Sequence, residues 1–416
     1  MLRLTLAIPV VLWLNVGTAT AITEQLPTIF FGVAFAFWMV LAALAHKRFL
    51  GDFFALTWPV IGILVILAIV LMFSGDQGLF TYIYGFLYAL LPLGLTAFYR
   101  ADLFRKERVV LLLLIGVDLL VVGVRTASRL AVDPDVARYM ATTEENRVEV
   151  YGEQSFAGLG GYGYTYALTA IVIATVVLAL RVHGWRRIAL VILSVTLVGY
   201  IAFTGFTLAL LLGVSFIAIA IAIHTIRKVD GKLILPILGI TTLIGLFIAP
   251  VPLAYLATSD LFSAAVRMRL IELSNFLQGD LEQTIDLSTR VQFYGDSIEA
   301  FLRSPVTGSL PDAVPTAELG LHSSWLDLLG LLGIFWILVF TLFWRTLKSL
   351  TSYVDSSKNV TLRTVWFYFA ALGLVNTLLF ANIFLVWFFF LPQVLVHAST
   401  KHILPADSIQ HSNGRR

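Results

Sequence analysis

The sequence predicts an all-α polytopic membrane protein with about twelve transmembrane helices. Residues of the types AVILMFWYC make up 59% of the 416-residue chain, and charged residues make up only 13%. A soluble domain carries about a quarter of its residues charged, so this composition requires a lipid environment. Apolar stretches of about 20 residues, each long enough to cross a hydrocarbon core of roughly 30 Å as a helix, cover nearly the whole chain. These stretches lack the alternating ten-residue pattern of a β-barrel.

Each predicted span is one apolar stretch bounded by charged or turn-forming residues. Two pairs of spans are nearly continuous, and the tight turns within them are predicted at Phe203-Thr204-Gly205-Phe206-Thr207 and Phe380-Ala381-Asn382. The predicted spans, in chain order, are 4–22, 28–45, 53–74, 79–99, 109–124, 164–182, 188–204, 206–225, 233–256, 321–344, 362–380 and 382–398.

The first apolar stretch has two interpretations. Arg3, the apolar core and Ala19-Thr20-Ala21 resemble a secretory signal peptide with its small-residue cleavage site. The stretch 4–22 is also long enough to span a membrane, and we favour a retained first helix.

The distribution of basic residues predicts the orientation of the chain. Short cytoplasmic connections are enriched in Lys and Arg, and placing the N-terminus inside puts 20 of the 28 basic residues there. With twelve spans, both termini are then predicted inside. Every remaining basic residue is an arginine, so the outer face is predicted to carry no lysine. The outer arginines are Arg125, Arg129, Arg138, Arg147, Arg267, Arg269, Arg290 and Arg303.

Two outer loops are large. The chain divides into transmembrane helices 1–9 (1–256, with outer loop 125–163), a large outer loop (257–320), helices 10–12 (321–398) and a cytoplasmic tail (399–416). Loop 125–163 runs into a tyrosine-rich segment, in which Tyr162, Tyr164 and Tyr166 are predicted to form an interfacial belt or to stack on sugar rings.

The loop 257–320, between helices 9 and 10, is predicted to contain two amphipathic helices. Ser259-Asp260 can cap the first helix, and Ser288-Thr289 can cap the second. The second helix is expected to run to Arg303, because Ser304-Pro305 stops it. Both helices are predicted to lie over the membrane with their apolar faces down.

A histidine stands at the predicted outer start of the tenth span. His322-Ser323 is followed by the nine residues 324–332 and then by Gly333. Histidine is the side chain that titrates near neutral pH, so it is suited to moving a proton. His322 is also the only histidine that the orientation places on the outer face.

The pattern extends upstream into the loop. Arg290 lies near the start of the second loop helix, and Pro305 and Gly308 follow it. Together with His322-Ser323 and Gly333, and with the large loop before the tenth span, these residues resemble the O-antigen ligase and O-antigen polymerase family. The similarity in motif covers about residues 288–336.

The resemblance implies a glycosyltransferase in the bacterial inner membrane with its active site facing the periplasm. The donor would be a glycan on undecaprenyl pyrophosphate. The acceptor would be lipid A–core for a ligase, which we prefer, or another glycan for a repeat-unit polymerase. His322 is then the general base and Arg290 binds the pyrophosphate, because a guanidinium contacts phosphate oxygens in pairs and keeps its charge. Attack opposite the pyrophosphate inverts the anomeric centre.

The chain departs from the family pattern after the seventh span. Family members usually carry a Ser-Arg pair there, and this chain has Thr204-Gly205-Phe206-Thr207. Arg125 or Arg129, at the outer end of helix five, is expected to supply the missing cation. The predicted substrate-binding residues are Arg125, Arg129, Arg267, Arg269 and Tyr294.

These residues also have structural interpretations. His322 can simply cap helix ten, and Arg290 can pair with Asp286 one turn earlier. Arg267 and Arg269 can extend to lipid headgroups. The pattern alone leaves these alternatives open.

Other classes of function fit the residues less well. A metal-dependent polyprenyl-monophosphate sugar transferase needs acidic residues in the first outer loop, which offers only Glu24. A polysaccharide transporter is expected to have repeats and polar broken helices, and Asp118 is the only acidic residue deep in a predicted span. We therefore expect no metal, no cofactor and no nucleic-acid partner; the partners are the lipid-linked donor, the acceptor and membrane lipids. The chain has no cysteine, so no disulfide or thiolate metal site forms.

Overall fold

The computed structural model is helical in all the regular structure that it describes. It describes residues 2–14, 28–74, 78–100, 102–133, 159–204, 206–226, 254–255, 257–259, 264–278, 285–308, 319–320, 322–352, 354 and 359–400. The main helices are α1 (Leu2–Leu14), α2 (Thr28–Ala45), α3 (Phe49–Ser74), α4 (Leu79–Tyr99), α5 (Arg105–Val132), α6 (Tyr162–Ala179), α7 (Trp185–Phe203), α8 (Thr207–Ile226), α9 (Ala264–Gln278), α10 (Ile285–Arg303), α11 (Ser324–Leu332), α12 (Trp336–Thr351) and α13 (Asn359–Val375). The last helix, α14, is α-helical over Ala381–Phe384, π-helical over Leu385–Phe390 and α-helical again over Leu391–Thr400.

Six helical segments within the described residues are long and apolar enough to cross a membrane. They are α3, α4, α5, α6, α7 and the stretch Ser324–Thr351 that α11 and α12 form together. Five shorter apolar helices, α1, α2, α8, α13 and α14, coincide with further predicted spans. The predicted span 233–256 lies outside the described residues except at 254–255. The described part is therefore that of an α-helical membrane protein, and the count of twelve spans stays a prediction.

Two helices differ from their predicted boundaries. Helix α5 continues to Val132, so the first part of the predicted loop 125–163 is helical. The reason is local, since the run Arg-Thr-Ala-Ser-Arg-Leu-Ala-Val contains no helix breaker. Helix α10 begins at Ile285, so Ser288-Thr289 lies inside it and does not cap it. Its end at Arg303 is confirmed.

The last three predicted spans also differ from the observed helices. The span 321–344 is interrupted by a 3₁₀ turn at Gly333, which has φ of 57°, and continues to Thr351. Helix α13 ends at Val375, and directly after it the side-chain carbonyl of Asn376 accepts the N–H of Thr377 at 2.8 Å. The break between α13 and α14 is thus residues 376–380, earlier than the predicted turn.

Helix α6 lies at the centre of the bundle and contacts α7, α8, α13 and α14. In its most apolar stretch 83% of the residues are buried, against 11% for the peripheral α7. Small residues allow these close approaches, as in membrane helix packing generally. Gly163 lies against the side chains of Phe380 and Asn382, and Gly213 of α8 lies against Thr169. The predicted interfacial belt is wrong for Tyr164 and Tyr166, which point into the bundle and are buried.

Contacts between α4 and α14 distinguish the two ends of the bundle. Near the start of α4, Gly85 lies against Leu379, just before α14 begins. Near the end of α4, the hydroxyl of Thr96 donates to the carbonyl of Phe388 and its carbonyl accepts from Gln393 at 3.5 Å. The predicted orientation makes the first end the outer one and the second the inner one.

The two predicted loop helices are present as α9 and α10. Helix α10 packs on α11 and also contacts α9, which contacts α8. Ser297 and Ala300 are buried on one side of α10, whereas Val291, Ile298 and Leu302 are exposed on the other. The exposed residues recur at helical spacing, in keeping with a helix whose apolar side lies on a membrane surface.

Candidate functional site

The candidate site lies where α11 begins. Ser323 is the N-cap of this helix, with extended backbone and a hydroxyl oxygen that accepts the N–H of Leu326 at 3.1 Å. The same hydroxyl donates to the carbonyl of Gly373 on α13 at 3.1 Å. An N-cap serine satisfies backbone donors that the helix itself leaves unpaired, and it fixes where the helix starts. Ser323 therefore fixes the position of the residue before it, His322.

Glycines allow the end of α10 to pack against the end of α11 backbone to backbone. Gly308 has φ of 61°, and a Cβ there would collide with the carbonyl of Leu331. A Cβ at Gly333 would lie 2.7 Å from both the nitrogen of Gly308 and the carbonyl oxygen of Pro305. The N–H of Ile334 donates to that same Pro305 carbonyl at 2.8 Å. The glycines of the motif are thus spacers that bring two chain segments into contact.

His322 is held by two contacts of its ring. Its Nδ1 lies 2.7 Å from the carbonyl oxygen of Gly320, and its ring stacks on Phe293 of α10 with centroids 4.5 Å apart. A carbonyl oxygen can only accept, so in this contact Nδ1 carries the hydrogen. In the neutral ring, Nε2 is then the basic nitrogen. His322 is only partly buried, so a substrate can reach it.

Behind the histidine, a buried carboxylate connects the two helices. Asp327 of α11 is 3% exposed, and its Oδ1 accepts the hydroxyl of Ser297 on α10 at 2.7 Å. Its Oδ2 accepts the N–H of Ser323 at 3.3 Å. Ser297 in turn accepts the N–H of Gly320 at 3.2 Å. A buried carboxylate requires such donors, because transfer from water is otherwise costly.

The break between α13 and α14 forms the other side of the site. The N–H of Ser324 donates to the carbonyl of Asn376 at 3.3 Å, and the N–H of Leu378 donates to the Ser324 hydroxyl at 2.8 Å. The amide of Asn376 donates to the hydroxyl of Tyr166 on α6. The first turns of α6, α11 and α14 therefore meet around residues 376–380.

Two predicted site residues lie on α10. Tyr294 donates its hydroxyl to the carbonyl of Val375 at 2.8 Å, so it connects α10 to the end of α13. Position 290 is one helical turn before Phe293 and Tyr294, on the side of α10 that carries the ring stacked on His322. The side chain of Arg290 is outside what the structure describes. The roles of Arg290 and Tyr294 in binding stay predictions.

The two arginines predicted to replace the missing family cation point in different directions. Arg125 is exposed and continues an exposed apolar stripe of α5 that includes Val117 and Val121. Arg129 is partly buried and follows the buried side of α5, one turn after Thr126. Thr126 accepts the N–H of Gly160, just before α6 begins. Arg129 thus lies on the buried side of α5 and Arg125 on its exposed side, and the role of either as the missing cation stays a prediction.

The remaining predicted arginines lie on α9. Arg267 is partly exposed, and the side chain of Arg269 is outside the described part of the chain. The structure places this helix against α8 and α10. It brings neither arginine into a described contact with His322.

Sequence reasoning missed the importance of Asp327. Asp118 is buried in α5, as expected for an acidic residue deep in a span, but Asp327 lies in the first turn of α11 and is buried too. The signal was present, because Asp327 follows the cap residue Ser323 by four positions and stands in an otherwise apolar helix. Its partner Ser297 lies 30 residues earlier, and no local pattern connects them.

The arrangement presents one histidine with a defined basic nitrogen beside several helix starts. Among the described residues, no group of three or more His, Cys, Asp or Glu side chains could hold a metal ion. In comparisons with known proteins, the chain matches no protein-family model and no curated protein.

Proposed function

We propose that this protein is a membrane glycosyltransferase of the O-antigen ligase kind, which transfers a glycan from undecaprenyl pyrophosphate to a hydroxyl of lipid A–core in the periplasm. One observation carries the proposal. The motif residues of the α10–α11 pair lie at the two ends of α11: His322 directly precedes its N-cap Ser323, and Gly308 packs backbone to backbone against Leu331 and Gly333 where the helix ends. These are the residues on which the family resemblance rests.

The fixed ring of His322 supports a role as general base. With Nδ1–H donating to Gly320, Nε2 can take the proton of an acceptor hydroxyl. The acceptor oxygen then forms a bond to the anomeric carbon as the bond from that carbon to the pyrophosphate oxygen breaks. The bonding electrons leave with undecaprenyl pyrophosphate, the proton stays on His322 until it passes to solvent, and the anomeric centre inverts. No step requires a metal ion.

The surroundings suit a departing pyrophosphate. Helices α6, α11 and α14 begin around residues 376–380, and each helix N-terminus carries a partial positive charge of about half a unit. Arg290 and Arg129 would add full charges in the bidentate form that phosphate oxygens favour. Donors fixed before reaction stabilise developing charge without reorganisation, which accounts for much of enzymatic rate acceleration.

The test is glycan transfer in a host strain that lacks the gene. Lipopolysaccharide bands are followed by gel after induction of wild type, His322→Ala or His183→Ala, with membrane abundance measured in parallel. We expect His322→Ala to slow ladder formation by about 10²–10⁴-fold, as for the loss of a general base. His183, exposed between α6 and α7, is the matched control and should give normal ladders.

Normal ladders from His322→Ala at normal abundance would exclude this site. The deletion strain itself separates ligase from polymerase. Loss of all ladder bands with accumulated lipid-linked polymer indicates a ligase, whereas a single repeat attached to core indicates a polymerase.

A further inference from the structure

We propose that Asp327 is a positioning residue for His322, an inference that rests on the proposed function. A single carboxylate anchors the chain on both sides of the histidine. Its Oδ2 accepts the N–H of Ser323, the next residue, and its Oδ1 reaches Gly320, two residues before, through the hydroxyl of Ser297.

The first connection, from the N–H of Ser323 to Asp327 Oδ2, fixes where α11 begins. Ser323 already caps the helix with its own hydroxyl, so its backbone N–H needs a separate acceptor. Asp327 supplies this acceptor from the first turn of α11, where the helix dipole also favours a negative charge. This bond holds the backbone on the C-terminal side of His322.

The second connection, from Asp327 Oδ1 through Ser297 to Gly320, fixes the carbonyl to which His322 Nδ1 donates. The hydroxyl of Ser297 donates to Asp327 at 2.7 Å, which orients its lone pairs so that it accepts the N–H of Gly320 at 3.2 Å. The carbonyl of Gly320 then accepts from His322 Nδ1 at 2.7 Å. Gly320 packs closely on α10, because a Cβ there would collide with the backbone of Phe293.

An aspartate that only fixed the start of α11 would need the bond to Ser323 but not the connection through Ser297 to Gly320. Ser297 is also 3.3 Å from the carbonyl of Phe293 on its own helix, so its hydroxyl has a local acceptor without Asp327. The shorter bond to Asp327 instead directs the hydroxyl toward the loop that carries His322. Asp327 thereby selects the Nδ1–H tautomer and leaves Nε2 as the base, much as outer carboxylates fix ligating histidines.

The experiment measures the tautomer of His322 directly. Protein with ¹⁵N-labelled histidine is reconstituted in lipid, and the His322 ring signals are identified by their loss in His322→Ala. We expect the neutral ring of wild type to be the Nδ1–H tautomer. In Ser297→Ala we expect a mixture with the Nε2–H tautomer and ladder formation slowed by about 10–100-fold, the range for losing an outer partner of a functional histidine.

A matched control removes a buried serine elsewhere. Ser194 of α7 shares a 2.8 Å hydrogen bond with Thr175, and Ser194→Ala should leave both the tautomer and the ladders unchanged. Ser297→Thr keeps the hydroxyl and should restore both. If Ser297→Ala is not recovered at normal abundance, Asp327→Asn carries the same expectation, because it keeps the shape of the side chain but its single amide oxygen cannot accept from both Ser297 and Ser323.

The outcomes separate the two proposals. An unchanged tautomer and wild-type ladders in Ser297→Ala, with slow ladders in His322→Ala, overturn the role of Asp327 and leave the proposed function standing. A changed tautomer in Ser297→Ala, with normal ladders from His322→Ala, supports the positioning and overturns the proposed function.

Discussion

The start of α11 and the region where α4 ends and α5 begins both contain buried polar groups, but they stabilise them in different ways. Between α4 and α5, a charged pair and aromatic rings contact one another. Glu107 accepts from Arg3 at 3.0 Å and from the hydroxyl of Tyr99 at 3.3 Å. The guanidinium of Arg3 lies 5.6 Å from the ring centroid of Phe98 and 4.8 Å from that of Phe104. This cluster connects α1 to α4 and α5.

At the start of α11, polar groups bind backbone N–H groups rather than opposite charges. Ser323 and Asp327 bind N–H groups, and Gly308 and Gly333 bring two backbones into contact. Ser323 and Asp327 thereby hold the backbone next to one partly exposed ring, that of His322. Under the proposed function, the cluster around Glu107 serves architecture, whereas the cluster around Asp327 presents the general base. Three pairs of substitutions test this comparison.

The largest expected effect concerns the side of the membrane on which each region lies. The chain has no cysteine, so a single introduced cysteine can be labelled without background. Gln292 of α10 and Leu103, beside Phe104, are both exposed. In intact spheroplasts, an impermeant maleimide should label Gln292→Cys and leave Leu103→Cys unlabelled, because the excess of Lys and Arg places the second region inside.

Both variants should react after the membrane is permeabilised, which controls for accessibility. Labelling of Leu103→Cys alone in intact spheroplasts would invert the orientation. It would also remove the periplasmic location from the proposed function.

A second, smaller effect separates a glycine that the α10–α11 junction requires from one that it does not. Gly308→Ala should destabilise the protein by at least about 2 kcal/mol, because alanine is strained at φ of 61° and its Cβ meets the backbone of Leu331. Gly295 lies inside α10 and has no atom within 4 Å of an added Cβ. Gly295→Ala should be neutral or stabilising by up to about 1 kcal/mol, since alanine favours helix.

Thermal unfolding of the detergent-solubilised protein, followed by size-exclusion chromatography, provides the measurement. Equal melting temperatures for the two variants would mean that the α10–α11 contact does not hold the junction together. The comparison between the two regions would then lose its structural basis.

Much of the fold was predictable from the sequence because hydrophobicity is local. Helices over most predicted spans, the two loop helices and the end of α10 at Arg303 follow from apolar stretches, spacing and the stop at Ser304-Pro305. The errors arise where tertiary contacts decide. The break at residues 376–380 depends on bonds from Asn376 to Tyr166 and from Leu378 to Ser324, which no local pattern encodes.

The candidate site divides in the same way. The spacing predicts His322, Ser323 and Gly333 as motif residues, and the structure places the first two at the start of α11 and packs Gly333 against Gly308 at its end. Asp327 and the role of Ser297 could not be predicted, because the bond between them joins helices that are separated in sequence by 30 positions. Spacing along the chain reveals a motif, but it does not reveal what supports the motif from another helix.

The smallest expected effect compares two ion pairs of similar length. Glu107 and Arg3 are 3.0 Å apart with side chains 18% and 25% exposed, whereas Glu299 and Arg303 are 2.8 Å apart with side chains 62% and 55% exposed. Solvent screens the exposed pair, and surface pairs contribute about 0–1 kcal/mol. Glu299→Gln should therefore change the free energy of unfolding by less than about 0.5 kcal/mol, although its pair is the shorter one.

Glu107→Gln should cost about 1–2 kcal/mol, because it weakens two bonds to a charged acceptor in a partly buried place. Neither variant should change the rate of ladder formation, since neither pair includes a group that holds His322. The measurement is thermal unfolding of both variants beside wild type, with ladders recorded in the same strains. A slower ladder in Glu107→Gln at normal abundance would show that the cluster around Glu107 takes part in transfer, and the assignment of architecture to this cluster and chemistry to the start of α11 would fail.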